Sequence, residues 1–145
     1  MRPATIRTNG RFMLETWLIG NDAQIPWHDE RVLFDGFLRF AKWLKPDGVI
    51  LNGDWTDSHS LSRFTKDPLS PYTLAKEVEV AGQTMDQLSF IDKKIWIGGN
   101  HEWRVTREIW DRLPEFAFYE GLKFDKIFKL DDYGFKYIEY PGHYN

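Results

Sequence analysis

Three short apolar runs, Thr16 to Gly20, Gly48 to Leu51 and Ile95 to Ile97, each end directly in a cluster of potential ligands. These clusters are Asp22-Ala23-Gln24, Gly53-Asp54-Trp55-Thr56-Asp57 and Gly99-Asn100-His101-Glu102. Runs this short and this rich in β-formers read as buried strands, and strands buried on both faces belong to parallel sheets. The intervening segments carry a different period. Asp29 offers an N-cap, and Leu33, Phe37, Phe40, Ala41 and Leu44 recur at helical spacing until Pro46 ends the pattern. Ser70-Pro71 reads as a cap with a first-turn proline, followed by one apolar helical face of Leu74, Val78, Ala81, Met85 and Leu88. Val105, Ile109 and Leu113 indicate a third helix closed by Pro114, and Gly134 to Tyr140 reads as a last strand.

The alternation predicts an α/β fold: a mostly parallel sheet with flanking helices and right-handed crossovers, in one domain over residues 1–145. Ligands of such sheets gather outside the carboxyl ends of the strands. Asp22, Asp54 and Asn100, separated by 32 and 46 residues in sequence, are therefore expected to be neighbours in space.

Composition narrows the chemistry. A hydrophobic content of 42% with seven Trp and eleven Phe supports a folded, aromatic-rich interior. The net charge of −3 provides no general basic field, so nucleic acid is not the favoured partner. The chain has no cysteine, so any metal must be held by oxygen and imidazole groups. Residues 1–13 are polar and mixed, and no run reaches the ~20 apolar residues of a membrane span. A cytoplasmic protein with no membrane partner is the expectation.

A pair of divalent cations about 3.5 to 4 Å apart needs a bridging carboxylate, and Asp54 is the candidate. Asp22 and Gln24, alternating along an extended turn, point to one side of the chain and suit the first ion. Asn100 offers an amide oxygen to the second. Water between such ions ionises near neutral pH and attacks phosphorus. His101 suits the proton donor to the leaving oxygen, with Asp57 as its orienting partner. Arg104, Arg107 and Arg63 are candidate phosphate clamps, Arg104 first, and His28 and His59 are secondary substrate-side candidates. The plainer roles are turn formation for a lone Asp and packing for Trp27, Trp55 and Trp103.

Gly53-Asp54-Trp55-Thr56-Asp57 and Gly99-Asn100-His101-Glu102 resemble two signatures of the calcineurin-like metallophosphoesterase superfamily, Gly-Asp-x-x-Asp and Gly-Asn-His-Asp/Glu. Asp22-Ala23-Gln24 resembles its Asp-x-His motif. The text from Asp22 to Asp29 and from Asp57 to Phe64 is similar to that of bacteriophage-encoded members. The resemblance implies the first half of a four-layer fold, a phosphomonoester or phosphodiester substrate, and two divalent ions. Manganese stands first among these, with magnesium, iron or zinc as further candidates. It places Asp22 on metal one, Asp54 as the bridge, Asn100 on metal two and His101 with Asp57 as the acid-side dyad.

Two departures from the family pattern stand out. Gln24 occupies the usual histidine position, a harder and weaker donor that favours manganese or magnesium over zinc. After His101 only His143 remains, outside any Gly-His-x-His motif. The expectation is an incomplete domain in which either water fills the gaps in the metal shells or the missing half comes from elsewhere, through a second polypeptide or self-association. The alternative is a non-catalytic binding or assembly module on the same fold.

Overall fold

The computed structural model describes residues 5–8 and 11–139, with side chains from residue 14 on. Strands β1 (Thr5–Thr8) and β2 (Arg11–Leu14) form an antiparallel pair of their own. The main sheet contains β3 (Trp17–Gly20), β4 (Gly48–Asn52), β5 (Lys93–Ile97) and β6 (Phe135–Ile138), in that spatial order and parallel throughout. The expected α/β architecture is thus the observed one. Each apolar run forms a strand, and each polar cluster leaves from its carboxyl end. His143 and Tyr140 lie outside the described residues.

Side chains alternate across the sheet, and its two faces differ. Val49, Leu51, Trp96 and Phe135 point into the core, where Trp96 meets Phe124, Phe128 and Phe135 at ring distances of 5.6, 6.5 and 6.1 Å. The opposite face carries Ile19, Ile50, Ile95, Ile97 and Ile138, of which Ile19 and Ile138 are 48% and 42% exposed. Register places Ile19, Ile50 and Ile95 in one lateral row. One face is therefore closed by helices, and the other is apolar and only partly covered.

The first helical segment starts where the sequence indicates. The Asp29 carboxylate accepts the N–H groups of Arg31 and Val32 at 2.8 and 3.3 Å. Residues Arg31–Leu38 are wound as a wider π-helix before continuing as α1 (Arg39–Leu44). The next helix, α2 (Leu74–Gln87), departs from expectation at its start. Its cap is Thr73, whose hydroxyl accepts the Lys76 N–H at 3.2 Å, while the Ser70 hydroxyl accepts from Tyr72 in a preceding turn. A threonine one residue before the helix satisfies an N3 donor directly, so Ser70-Pro71 remains outside it. Helix α3 (Trp103–Arg112) and the short α4 (Phe124–Ile127) complete the layer. Leu113 lies beyond α3 and is 48% exposed. Among the described residues, no helix is long and apolar enough to cross a membrane.

Candidate functional site

The loops after β3 and β4 run side by side beyond the sheet. Asp22 N–H donates to the Gly53 carbonyl at 3.1 Å, Gln24 to Asp54 at 3.0 Å and Ile25 to Trp55 at 3.0 Å, and Asp57 returns a bond to Ile25 at 2.8 Å. This lacing extends the parallel pairing past the strand ends. It is accompanied by left-handed backbone at Asp22, Gln24, Asp54 and Ser58, with φ of 58°, 55°, 50° and 51°. Only short polar side chains and glycine visit that region cheaply, so four such non-glycine positions around one site mark a built geometry. The turn at Asp22 is therefore not the extended one expected. The two side chains still meet, because the Gln24 amide N–H donates to Asp22 Oδ1 at 2.7 Å.

A single buried carboxylate joins the second loop to the third. Glu102 is fully buried; its Oε2 accepts the N–H groups of Asp54 and Gly99 at 2.9 and 2.7 Å, and its Oε1 accepts the Thr56 N–H at 3.1 Å. Burial pushes its carboxyl above the ordinary range, and the backbone N–H groups of Thr56, Gly99 and Asp54 oppose that shift. Sequence reasoning quoted this residue within its motif but gave it no role.

Held in this way, Asp54 turns its Oδ1 toward the His101 N–H at 3.0 Å. A Cβ on Gly99 would lie 2.2 Å from that same oxygen, so only glycine leaves room for the carboxylate. Asp22, Asn52, Asp54 and Asn100, with Gly98 and Gly99, line one cavity of about 520 Å³. Its polar donors are carboxylate and amide oxygens, the set that hard divalent cations prefer. Among the described residues, no three His, Asp or Glu side chains form a ready-made metal cage.

Beside the cavity lies a second cluster. His101 Nδ1 is 3.0 Å from Asp57 Oδ1, but off the line of a good hydrogen bond. Arg104, three residues on in the first turn of α3, donates through Nη1 to Asp57 Oδ1 at 2.5 Å and to the Asp57 carbonyl at 2.6 Å. Its Nη2 lies 3.0 Å from His101 Nε2. A guanidinium has only donors, so Nε2 is the acceptor at this contact and the ring proton faces Asp57. Asp57 is 8% exposed and is therefore paired with a cation out of water.

Glu77 of α2 supports this cluster from below. It is 2% exposed, and its Oε1 accepts the Ser58 N–H at 2.5 Å, next to Asp57. Burial, with a smaller contribution from the neighbouring Asp57 charge, pushes its carboxyl from 4.5 up to about 8. Because the folded state holds this proton more tightly than the unfolded chain, the stability it contributes is complete below pH 4.5 and is lost as pH rises through about 8. Glu77→Gln is expected to remove a fall of about 1.4 kcal/mol per pH unit within that window, measured by urea unfolding at several pH values.

The remaining candidates disperse. Arg107 Nη2 donates to the Leu61 carbonyl at 3.0 Å, and Arg63 is exposed. His59 meets the Trp27 ring edge-on at 5.6 Å, and Trp27 packs on Tyr72 at 4.3 Å. Trp55 is core, donating to Thr84 at 3.3 Å and packing on Phe37 at 5.4 Å. Trp103 meets Trp110 edge-on at 5.0 Å. His28 lines a smaller cavity of about 220 Å³, which also includes Asp22.

A family model described as calcineurin-like phosphoesterase matches residues 21–144 of the chain. No curated protein and no solved structure matches it.

Proposed function

The chain belongs to the calcineurin-like phosphoesterase family, and from that premise we propose that it hydrolyses a phosphomonoester or phosphodiester with two divalent cations, manganese first among them. The observation that carries this reading is the cavity in which Asp22, Asp54 and Asn100 meet, with His101 and Asp57 in the adjoining loops. Asp22, Asp54 and Asn100 would hold the cations, with Asp54 as the carboxylate shared between them, and Gln24 would add a neutral oxygen only after its amide turns away from Asp22 Oδ1. When bound, the ions supply an ionisable water and offset charge building on the phosphoryl oxygens.

His101, once Nε2 is released and has taken a proton from solvent, delivers that proton to the leaving oxygen, and Asp57 holds the ring by its Nδ1 side. Arg104 shares both partners and therefore positions the dyad. An incoming phosphate, as a competing anion, draws the guanidinium away from Nε2 and frees that nitrogen to work. The purified chain is expected to hydrolyse bis-p-nitrophenyl phosphate or p-nitrophenyl phosphate with added manganese. His101→Ala should lower the rate by about a hundredfold or more while leaving cation binding intact. No turnover with any divalent ion would defeat the proposal.

One observation favours a second reading, a non-catalytic assembly module or a domain completed by a partner. The isoleucine face of the sheet is apolar and partly exposed, as a surface awaiting a second layer would be. Sedimentation velocity separates the two: self-association or capture of a second polypeptide on that face, without hydrolysis, would support the module.

A further inference from the structure

We propose that the smaller cavity beside Asp22 is the alcohol subsite of the hydrolytic centre and receives a flat ring bearing a hydrogen-bonding group; this rests on the hydrolase reading above. Asn21 and Asp22 stand on the walls of both cavities, which sets the two side by side, so an ester with its phosphoryl group in the larger one would have the smaller within reach of its alcohol. The smaller cavity measures about 220 Å³, and a cavity of roughly 150 Å³ already accommodates benzene. Its apolar walls are Val32, Leu33, Phe37 and Trp55, with the Phe37 and Trp55 rings tilted by 59° at 5.4 Å. Such walls accept a planar group and offer little to a hydrated one.

His28 supplies the polar contact. Its side chain is only 5% exposed, and neither ring nitrogen makes a hydrogen bond. Glu30 Oε1 stands 3.3 Å from Nε2, on a side chain that is 77% exposed. A buried imidazole without a hydrogen bond is rare, and a small rotation of the ring toward the cavity would let a ligand hydroxyl or ring nitrogen satisfy it. Pockets that combine apolar walls with one such directional group read a substrate by ring and by substituent separately.

Non-hydrolysable phosphonates separate these contributions in the manganese-loaded full chain. Inhibition of p-nitrophenyl phosphate hydrolysis by phenylphosphonate is expected to be about tenfold tighter than by ethylphosphonate, because the ring is buried. A 4-hydroxyphenylphosphonate should gain a further factor of about three to ten from His28. Val32→Phe places a ring over the cavity from a position that is 68% exposed and should bring phenyl and ethyl to equality without loss of fold. His28→Phe should abolish only the gain from the hydroxyl. Calorimetric titration of manganese into His28→Phe provides a second readout, expected to show unchanged stoichiometry. A lost cation would make His28 a metal ligand and overturn the proposal. Equal inhibition by all three phosphonates, with hydrolysis intact, overturns the ring subsite and leaves the hydrolase reading standing. Absence of cation-dependent hydrolysis of any ester overturns both.

Discussion

Asp54→Asn is expected to lower manganese-dependent hydrolysis by about a thousandfold or more and to reduce the cation stoichiometry, while the protein remains folded. Asparagine is the informative replacement because it isolates charge. Position 54 has a left-handed backbone, φ 50°, which asparagine adopts readily, whereas an alanine there would add strain unrelated to the ions. The amide oxygen can still accept the His101 N–H bond that Asp54 Oδ1 makes at 3.0 Å, and its volume fits the space left by Gly99. What disappears is the second anionic oxygen, without which one side chain cannot serve two cations well. Steady-state rates with p-nitrophenyl phosphate test the first part and manganese calorimetry the second. The contrast with His101→Ala is diagnostic: that variant loses rate but keeps cations. An Asp54→Asn protein with parental activity would remove Asp54 from the centre.

The legible part of this architecture was the part governed by burial. Three apolar runs and one mixed segment became four parallel strands, the apolar ones because such segments have few other ways to satisfy their backbone and hide their side chains. The convergence of the polar loops then followed from topology. What sequence could not supply was the conformation of the loops themselves. Asp22, Gln24, Asp54 and Ser58 adopt left-handed backbone without a glycine to announce it, since the inter-loop bonds impose it from outside. Charge and proximity mark Arg104 as a candidate phosphate clamp, but its engagement with Asp57 and His101 has no trace in the sequence pattern.

The two buried glutamates show different limits. Glu77 left a faint signal, for it falls three residues after Leu74 and four before Ala81, on the apolar arc of α2 where a solvated residue would not sit. Glu102 left none beyond its place in a motif, because its partners are backbone N–H groups from residues 54, 56 and 99, which no side-chain pattern reveals.

That arrangement gives Glu102→Ala the largest expected effect on stability, about 3 to 5 kcal/mol, or a fall of roughly 10 °C in melting temperature. The loss does not come from the two carbon atoms of side chain removed. It comes from three N–H donors, that of Asp54, part-buried, and those of Thr56 and Gly99, buried, left together without an acceptor. Glu102→Gln should recover only part of it. An amide has one oxygen where the carboxylate had two, and whichever way it turns, its NH2 group must face N–H donors that the lost oxygen had accepted. The order parent, then Gln, then Ala in urea midpoint is therefore expected, with hydrolysis falling in the same order as the Asp54 and Asn100 loops lose their shared anchor. If glutamine matched glutamate in both measurements, the donors would not depend on a two-oxygen acceptor. The coupling of the second and third loops would then have to reside in the bond from the His101 N–H to Asp54 Oδ1.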